Sequence, residues 1–500
     1  MQNTSSSTLP SFKLSIVPII ALVLLLIVNV QLFGQEVLNG SIQVVLILST
    51  AITCLLSVWR MKTPWDSFEQ GFVRSVASAT PAIIVLLLIG AMAGTWMMSG
   101  IIPAMIKYGL QVVNPNYFLA TSCIVSALIS LSTGGSWTTI ATVGVGLMGI
   151  GQVLEFDTAW VAGAIISGAY FGDKVSPLSE TTNMASSVAG VNLFTHIRYM
   201  MYTTVPAFLI GLIIFFVYGL FGATSSTASS DELIRAIDAH YAISPWLFVG
   251  PALVLFLIAK RVPAIVVLFV GVLLGGVTML VAQPRMIALV SGESSLEVGF
   301  MTAIESIYGA MSPQTGNEML DSLIATKGMS GMLNTVWLII CAMCFGGAME
   351  GSGMLQSITA KLVSRMNTTF STVASTSGAC LFLNMATGDQ YISILLPGKM
   401  FSDVYQNQGY RPELLSRTLE DSATVTSVLI PWNSCGMAQS AVLGVATMAY
   451  MPFCFFNWLS PLMTLVMALI GYKVHATTPE VGEQVSDKGL VYETQTVTVN

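Results

Sequence analysis

The run FKLSIVPIIALVLLLIVNVQLF at residues 12–33 decides the fold class of this chain. It contains one lysine and no acidic residue in 22 positions, and about 20 apolar residues are enough for a helix to cross the hydrocarbon core of a bilayer. Similar runs lie at 41–59, 80–100, 200–221, 243–259, 262–281, 332–355 and 449–473. The sequence therefore predicts an all-α polytopic membrane protein, with the lipid bilayer as its first partner.

The composition excludes two other classes of protein. Of the 500 residues, 54% are hydrophobic and only 9% are charged, whereas soluble domains carry roughly 25% charged residues. So few charged side chains cannot cover a water-facing surface, which excludes a soluble enzyme. The net charge of −6, with no run of lysine or arginine, excludes a protein that binds nucleic acid.

Two long stretches, 116–199 and 368–447, are apolar but interrupted by Gly, Pro, Ser, Thr, Asn and carboxylates. Non-helical backbone at membrane depth is tolerated only where it is buried in protein or lines a cavity. We therefore expect broken helices and re-entrant hairpins here, and roughly 11 to 13 membrane segments in all.

The two interrupted stretches also predict an internal repeat. Residues 133–137 (TGGSW) align with residues 387–391 (TGDQY), 254 positions later, and the pairs Gly144/Gly398 and Pro177/Pro431 keep that offset. Aligning the halves pairs span 41–59 with span 262–281, which the loop charges orient in opposite directions, as in inverted-repeat secondary transporters. The expected division is a first repeat at 1–199, a connector helix and external loop at 200–242, a second repeat at 243–447, a C-terminal membrane helix at 448–473 and a disordered cytoplasmic tail at 474–500.

Short basic loops give the expected orientation, because Lys and Arg concentrate on the cytoplasmic side. Basic residues at 60–74 and 260–261 mark cytoplasmic turns, whereas the net-acidic segments 222–242 and 282–331, and loop 34–40 with its single Glu36, are placed outside. Both termini are then cytoplasmic.

Polar residues within the interrupted stretches are the candidate ion and substrate ligands, since ionisable groups inside a membrane are costly and usually functional. The first stretch supplies Ser132, Thr133, Gly134, Asp173, Ser176, Ser179, Glu180, Thr181, Thr182 and Asn183. The second supplies Asn384, Thr387, Asp389, Asp421, Asn433 and Ser434. A hard cation such as Na⁺ prefers oxygen ligands, and the Na⁺ candidates among these residues are Asp173, Thr387, Asp389 and Asp421. Lys174 is expected to pair with Asp173 or Glu180, and Glu350 is a further buried candidate.

A buried carboxylate can hold either a proton or Na⁺ near neutral pH. Competition of the two ions for one carboxylate would exchange Na⁺ for protons without covalent chemistry or a cofactor. A membrane enzyme would need a nucleophile–base pair or metal ligands, but His196 stands next to Arg198 and no His-x-x-x-His occurs. A channel would not need an inverted repeat that bears carboxylates, although the sequence alone does not exclude one.

Four motifs closely resemble those of the NhaC family of Na⁺/H⁺ antiporters. They are STGGSWTT (132–139), GAYFGDKVSPLSETTNMAS (168–186), NMATGDQYISILLPGKMF (384–401) and SRTLEDSATVTSVLIPWNSCG (416–436). The resemblance covers nearly the whole chain apart from its tails. It implies a bacterial inner-membrane protein that performs ion-coupled antiport, with Na⁺ and protons as transported ions, and it points to the GDK-SPLS-TTN, TGDQ, EDS and PWNS segments as the site.

The resemblance does not fix the substrate, because some relatives exchange malate or lactate together with Na⁺ and protons. An anionic substrate needs positive groups, and Lys174 and Lys399 are the basic candidates near the motifs. A Na⁺- and proton-coupled organic acid antiporter is therefore the alternative function, with a small carboxylate as an additional partner. A homodimer is also left open.

Overall fold

The computed structural model describes residues 10–33, 40–222, 227–363 and 367–474. Within these ranges the secondary structure is helical, and the only strand-like pairing is an isolated bridge between Met311 and Thr326. The predicted all-α class is confirmed. Loop 34–39, residues 223–226 of the predicted external loop and tail residues 475–500 lie outside the described residues.

The first half of the chain contains ten helices in its described part. They are α1 (Phe12–Phe33), α2 (Ser41–Met61), α3 (Trp65–Met98), α4 (Ile101–Val112), α5 (Phe118–Thr133), α6 (Ser136–Thr139), α7 (Val145–Val153), α8 (Thr158–Val175), α9 (Glu180–Val188) and α10 (Leu193–Gly222). A π-helical turn at Ile140–Gly144 joins α6 to α7, and a 3₁₀ turn at Pro115–Tyr117 precedes α5.

The second half continues the numbering within the described residues. It contains α11 (Thr227–His240), α12 (Val249–Ala259), α13 (Ala264–Ala282), α14 (Pro284–Ser291), α15 (Leu296–Tyr308), α16 (Glu318–Ile324), α17 (Leu333–Gly351), α18 (Met354–Val363), α19 (Thr369–Thr387), α20 (Gln390–Asn407), α21 (Pro412–Leu419), α22 (Val425–Ser427), α23 (Ser434–Leu443), α24 (Thr447–Tyr450) and α25 (Phe455–Leu469). A second π-helical turn, Glu420–Thr424, connects α21 to α22. Short 3₁₀ turns at Pro245–Phe248, Met329–Met332 and Met451–Phe453 precede α12, α17 and α25.

Seven described helices are long and apolar enough to cross a membrane, and three bent helix pairs raise the number to ten. Helices α8, α19 and α20, with 18, 19 and 18 residues, are also long enough at 1.5 Å per residue, but they are more polar than the seven. Many of their polar side chains are buried, among them Asp173, Asn384 and Ser393. Counting them brings the total into the expected range of 11 to 13.

The surface of the long helices is apolar, as a bilayer requires. Leu55 of α2, Phe221 of α10 and Val277 of α13 are 69%, 85% and 59% exposed. Water would disfavour such surfaces, whereas lipid tails are as apolar as the side chains themselves. The chain is therefore a multi-pass membrane protein.

The segment 282–331, which the sequence places in an external loop, is largely helical. It contains α14 and α15, which bend by 80° at their junction and together pass the length and hydropathy test for a span. The acidic residues of this segment are interspersed with enough apolar side chains to form a broken span or re-entrant hairpin. The predicted loop is therefore largely helical, and its placement outside the membrane stays a prediction.

Small residues let the central helices approach closely. A Cβ atom on Gly71 of α3 would lie 2.3 Å from the carbonyl oxygen of Gly347 in α17, and one on Gly168 of α8 would lie 2.0 Å from the carbonyl oxygen of Cys123 in α5. Only glycine fits such backbone contacts, which are typical of membrane helix pairs.

Helix boundaries in the two halves support the repeat. Helix α5 ends at Thr133 and α19 at Thr387, and in each case the next residue is a glycine with left-handed φ, +71° at Gly134 and +66° at Gly388. The starts of α6 and α20, the ends of α7 and α20, and the starts of α8 and α21 keep the same offset of 254. The inverted orientation and the domain division stay predictions.

Candidate functional site

The helix breaks of the two halves bring buried charged and hydroxyl side chains together. We call this group the central cluster. It consists of Ser136 from α6, Asp173 and Lys174 from α8, Ser179 and Thr181 at the start of α9, and Glu420 and Asp421 from the second π-helical turn. All seven side chains are buried.

Asp173 bridges the last turn of α8 to the first turn of α6. Its Oδ2 accepts hydrogen bonds from the backbone nitrogen of Ser136 at 3.0 Å and from the Ser136 hydroxyl at 2.7 Å, and Ser179 also interacts with this carboxylate. Gly135, at the N-cap of α6, has no side chain, so Asp173 caps that helix from a neighbouring helix. The predicted site residue Asp173 therefore lies in the cluster.

Lys174 and Asp421 form an ion pair across the two halves, and both side chains are 0% exposed. The Lys174 ammonium also donates to Ser460 Oγ at 2.8 Å. Asp421 accepts further hydrogen bonds from Thr203, Ser460 and Thr464. The expected pairing of Lys174 with Asp173 or Glu180 is therefore wrong. Lys174 and Asp173 are adjacent on one helix, and adjacent helical side chains do not face each other.

Glu420 is the carboxylate of the cluster that the sequence analysis left out of its candidate ligands. Its side chain is 0% exposed, and its Oε1 accepts a hydrogen bond from the Thr181 hydroxyl at 3.0 Å. Its Oε2 is buried and has no hydrogen-bond partner in the described part of the chain. The carboxylate is also within electrostatic range of Lys174 and Asp173. Its position next to Asp421 in a polar run was the available signal.

Several predicted ligands instead stabilise the break between α8 and α9. Ser176 donates to the carbonyl of Leu131 at 2.8 Å, and Thr182 donates to the carbonyl of Lys174 at 2.9 Å. Ser179 is the N-cap of α9, and its hydroxyl also lies 3.1 Å from that of Thr181. Asn183 is exposed and donates to the carbonyl of Ser179 at 2.6 Å.

Glu180 lies at the edge of the site and is exposed. Its Oε2 accepts a hydrogen bond from the hydroxyl of Tyr391 at 2.9 Å, which links the first half to the break between α19 and α20. Tyr391 also donates its backbone nitrogen to Asp389 Oδ1 at 2.6 Å. The two predicted acids are therefore connected through one tyrosine.

Asp389 is 3% exposed and is the N-cap of α20. Its Oδ1 accepts from the backbone nitrogens of Tyr391 and Ile392 at 2.6 and 3.0 Å. Thr387 donates to the carbonyl of Leu383 at 2.8 Å and ends α19. In the repeat, Asp389 takes the position of Gly135 and Thr387 takes the position of Thr133. Asp389 is itself the N-cap of α20. The matching helix start in the first half, that of α6, is capped by Asp173 from α8.

Asn384, Asn433 and Ser434 join the segments around the second break. Asn384 donates to the carbonyl of Ala423 at 2.7 Å, and Asn433 donates to Asn384 Oδ1 at 3.2 Å. Asn433 also caps α23, and the backbone nitrogen of Ser434 donates to the carbonyl of Gly388 at 2.8 Å.

In the first break, Thr133 faces Thr139, with their hydroxyls 3.2 Å apart, and Gly134 packs against Leu178. Ser132 is exposed and donates to the carbonyl of Leu128 at 2.8 Å, away from the central cluster. Glu350 lies at the end of α17 and pairs at 2.8 Å with Arg74, whose side chain is 67% exposed. It is therefore a helix-end residue rather than a deeply buried ligand.

Comparison with known proteins gives consistent results over most of the chain. Residues 168–472 match the family model described as the Na⁺/H⁺ antiporter family. The Na(+)/H(+) antiporter NhaC of Alkalihalophilus pseudofirmus is 38% identical over 83% of this chain and 87% of its own length. The protein of the same name from Bacillus subtilis is 35% identical over 85% of this chain and 91% of its own length. The malate-2H(+)/Na(+)-lactate antiporter of Bacillus subtilis is 32% identical over 87% of this chain and 90% of its own length.

Proposed function

The chain belongs to the Na⁺/H⁺ antiporter family, and we propose that it performs secondary active Na⁺/H⁺ antiport through the buried carboxylates of the central cluster. The protein is a transporter, and the exchange that we propose needs no covalent chemistry and no cofactor. Na⁺ and protons are its cargo.

The charge balance of the cluster carries the proposal. Asp173, Glu420 and Asp421 bring three carboxylates, but the cluster contains one lysine, and that lysine is paired with Asp421. An isolated buried carboxylate is strongly unfavourable unless it is paired or neutralised. Asp173 and Glu420 therefore need a cation or a proton to stay in this environment, and this need makes them competent to bind either one.

The oxygen atoms around these two carboxylates suit Na⁺. Hydroxyls of Ser136, Ser179 and Thr181 lie beside them, and a hard cation takes carboxylate and hydroxyl oxygens as ligands. A proton on Glu420 or Asp173 would remove the charge that attracts Na⁺. Binding of one ion would thus exclude the other, and alternate exposure of the cluster to the two sides would give exchange.

The second break supplies further proposed ligands. Asp389 uses Oδ1 for the cap of α20, so Oδ2 is the atom that we propose for an ion. The hydroxyl of Thr387, which accepts a hydrogen bond from the Asp389 backbone nitrogen at 3.3 Å, is a further proposed ligand. The hydrogen bond between Tyr391 and Glu180 connects this break to the first half. We propose that the pair transmits ion binding at one break to the other.

The proposed location is the bacterial inner membrane with both termini in the cytoplasm. Short basic turns at 60–74 and 260–261 support this orientation. A homodimer remains a proposal without a specific interface.

A second candidate function is Na⁺- and proton-coupled exchange of organic acids. A relative with 32% identity is named for malate and lactate. In addition, the buried Arg417 supplies a positive group that the sequence analysis did not consider. This candidate shares the cation site and adds an anion site.

Reconstituted vesicles with a trapped pH dye separate the two candidates. Addition of Na⁺ alone should move protons if the protein is a Na⁺/H⁺ antiporter. An absolute requirement for malate or lactate would instead support the organic acid antiporter. No proton movement under either condition, with correctly inserted protein, would contradict both.

A further inference from the structure

Arg417 of α21 is a buried positive charge that forms no ion pair with any residue that the structure describes. Its side chain is 0% exposed, and none of Nε, Nη1 and Nη2 has a hydrogen-bond partner among the described residues. A guanidinium group stays charged in proteins, and an unpaired buried charge is strongly unfavourable. An anion beside this guanidinium group would therefore be stabilising.

The surroundings of Arg417 offer further polar contacts. The ring of Tyr199 in α10 packs against the guanidinium group at 4.8 Å from its centroid. One turn earlier in α10, His196 Nδ1 lies 2.8 Å from the hydroxyl of Ser416, while His196 Nε2 is buried and has no partner in the described ranges. We call His196, Tyr199, Ser416 and Arg417 the arginine cluster.

The arginine cluster lies next to the cation site. His196 is within electrostatic range of Lys174 and Asp421, and Arg417 precedes Glu420 by three residues on a continuous helical segment. Since Lys174 is neutralised by Asp421, Arg417 is the positive group available to an incoming anion.

Within α21, Glu413 lies four residues before Arg417 and therefore on the same face. It is half-buried, and its Oε2 is buried without a hydrogen-bond partner in the described part of the chain. No ion pair joins Glu413 to Arg417 in this conformation of the described residues. Arg411 is within electrostatic range of the same Tyr199 ring.

We propose that Arg417 binds the carboxylate group of a small organic acid. A guanidinium group matches a carboxylate with two parallel hydrogen bonds, and His196 Nε2 faces a second polar group of the same molecule. Glu413, one turn before Arg417 on the same face of α21, is a carboxylate of the protein itself that competes with the organic acid for the guanidinium group. This inference rests on the second candidate function above and assigns its anion site.

Thermal unfolding of the full-length, detergent-purified protein tests the proposal. L-lactate and L-malate are the probes, and chloride is the inorganic control. The organic acids should raise Tm in a saturable manner, as a ligand of the folded state does, and chloride should not. A Tm unaffected by either acid, or raised equally by chloride, would overturn the proposal.

Substitutions separate binding from a structural role. Arg417→Lys keeps the charge and should weaken acid binding about tenfold or more, because the two-pronged contact is lost. Glu413→Gln should strengthen acid binding, because the competing carboxylate is removed. Arg60→Gln is the matched control, since Arg60 also lies over an aromatic ring, that of Trp59, but is exposed.

If Arg417 and Glu413 only stabilise the fold, Arg417→Lys and Glu413→Gln should both lower stability, and neither should change the binding of organic acids. That result would overturn the proposal. Na⁺-driven proton movement without organic acid is measured separately in vesicles. Its presence in a protein that does not bind acids would leave the antiport proposal standing and remove only this one.

Discussion

Lys174 in α8 and Asp421 in the second π-helical turn form a fully buried ion pair that joins the two halves of the chain. Three hydroxyl groups and the lysine saturate the Asp421 carboxylate. The pair thus acts as a fixed element beside the two carboxylates that we propose for ion exchange.

Removing one partner of this pair should be more harmful than removing both. Lys174→Met or Asp421→Leu alone leaves a buried unpaired charge and should destabilise the protein by about 3–5 kcal/mol. The double substitution should recover part of that loss, because no uncompensated charge remains. Thermal unfolding of the four proteins measures the coupling, and additive losses would show that the pair does not act as a unit.

Glu420→Gln should abolish Na⁺-driven proton movement while the protein still inserts and folds. The amide keeps the shape of the side chain, but it can neither bind a proton near neutral pH nor attract Na⁺. Thr181→Val, which removes the hydroxyl bonded to Glu420, should raise the apparent KM for Na⁺ about tenfold.

Asp173→Asn should abolish transport for the same reason as Glu420→Gln, because it removes the other uncompensated carboxylate. Glu350→Gln is the control for both acids, since Glu350 pairs with an exposed arginine and such pairs contribute only about 0–1 kcal/mol. Transport at the wild-type rate in Asp173→Asn would exclude this residue from the ion site.

Substitutions at Asp389 distinguish a helix cap from an ion ligand. Asn caps helices as well as Asp does, whereas Ala at an N-cap costs about 0.5–2 kcal/mol. If Asp389 binds an ion, both Asn and Ala variants lose transport and only Ala also loses stability. A fully active Asp389→Asn protein would reduce this residue to a cap. Asp157→Asn, at the exposed N-cap of α8, controls for the exchange of one capping residue for another.

Close packing of α3 on α17 predicts a strong effect of one methyl group. Gly71→Ala would place Cβ 2.3 Å from the carbonyl oxygen of Gly347 and should lower stability by about 1–3 kcal/mol. The same change at Gly378 of α19, where no described atom beyond the local helix backbone lies within 4 Å of the added Cβ, should be neutral or stabilising by up to about 1 kcal/mol. Equal effects at both positions would contradict the packing described for α3 and α17.

Hydropathy and motif spacing predicted the class of the fold and the positions of its breaks. The offset of 254 between TGGSW and TGDQY is kept by the helix boundaries, because a left-handed glycine ends α5 and α19 at matched positions. Loop charge was less informative. The acidic segment 282–331 contains helices α14 to α16, since a few carboxylates do not prevent short apolar stretches from folding as helices.

The partners of the charged side chains could not be predicted from the sequence. Lys174 pairs with a residue 247 positions away, and sequence neighbours such as Asp173 suggested a wrong partner. The sequence alone does not show that Arg417 and Glu420 are buried, whereas the packing of α21 and the second π-helical turn buries both completely. Tertiary contacts decide which polar residues of a motif face the site and which ones cap helices.

The central claim is that Na⁺ and protons compete for the buried carboxylates Asp173 and Glu420. The most direct test is the Na⁺ dependence of proton movement in vesicles containing the wild-type protein, measured at a series of pH values. Competition for one site predicts that the apparent KM for Na⁺ rises towards about tenfold for each unit of decreasing pH, while the maximal rate at saturating Na⁺ is maintained. An apparent KM for Na⁺ that does not change with pH would contradict the claim.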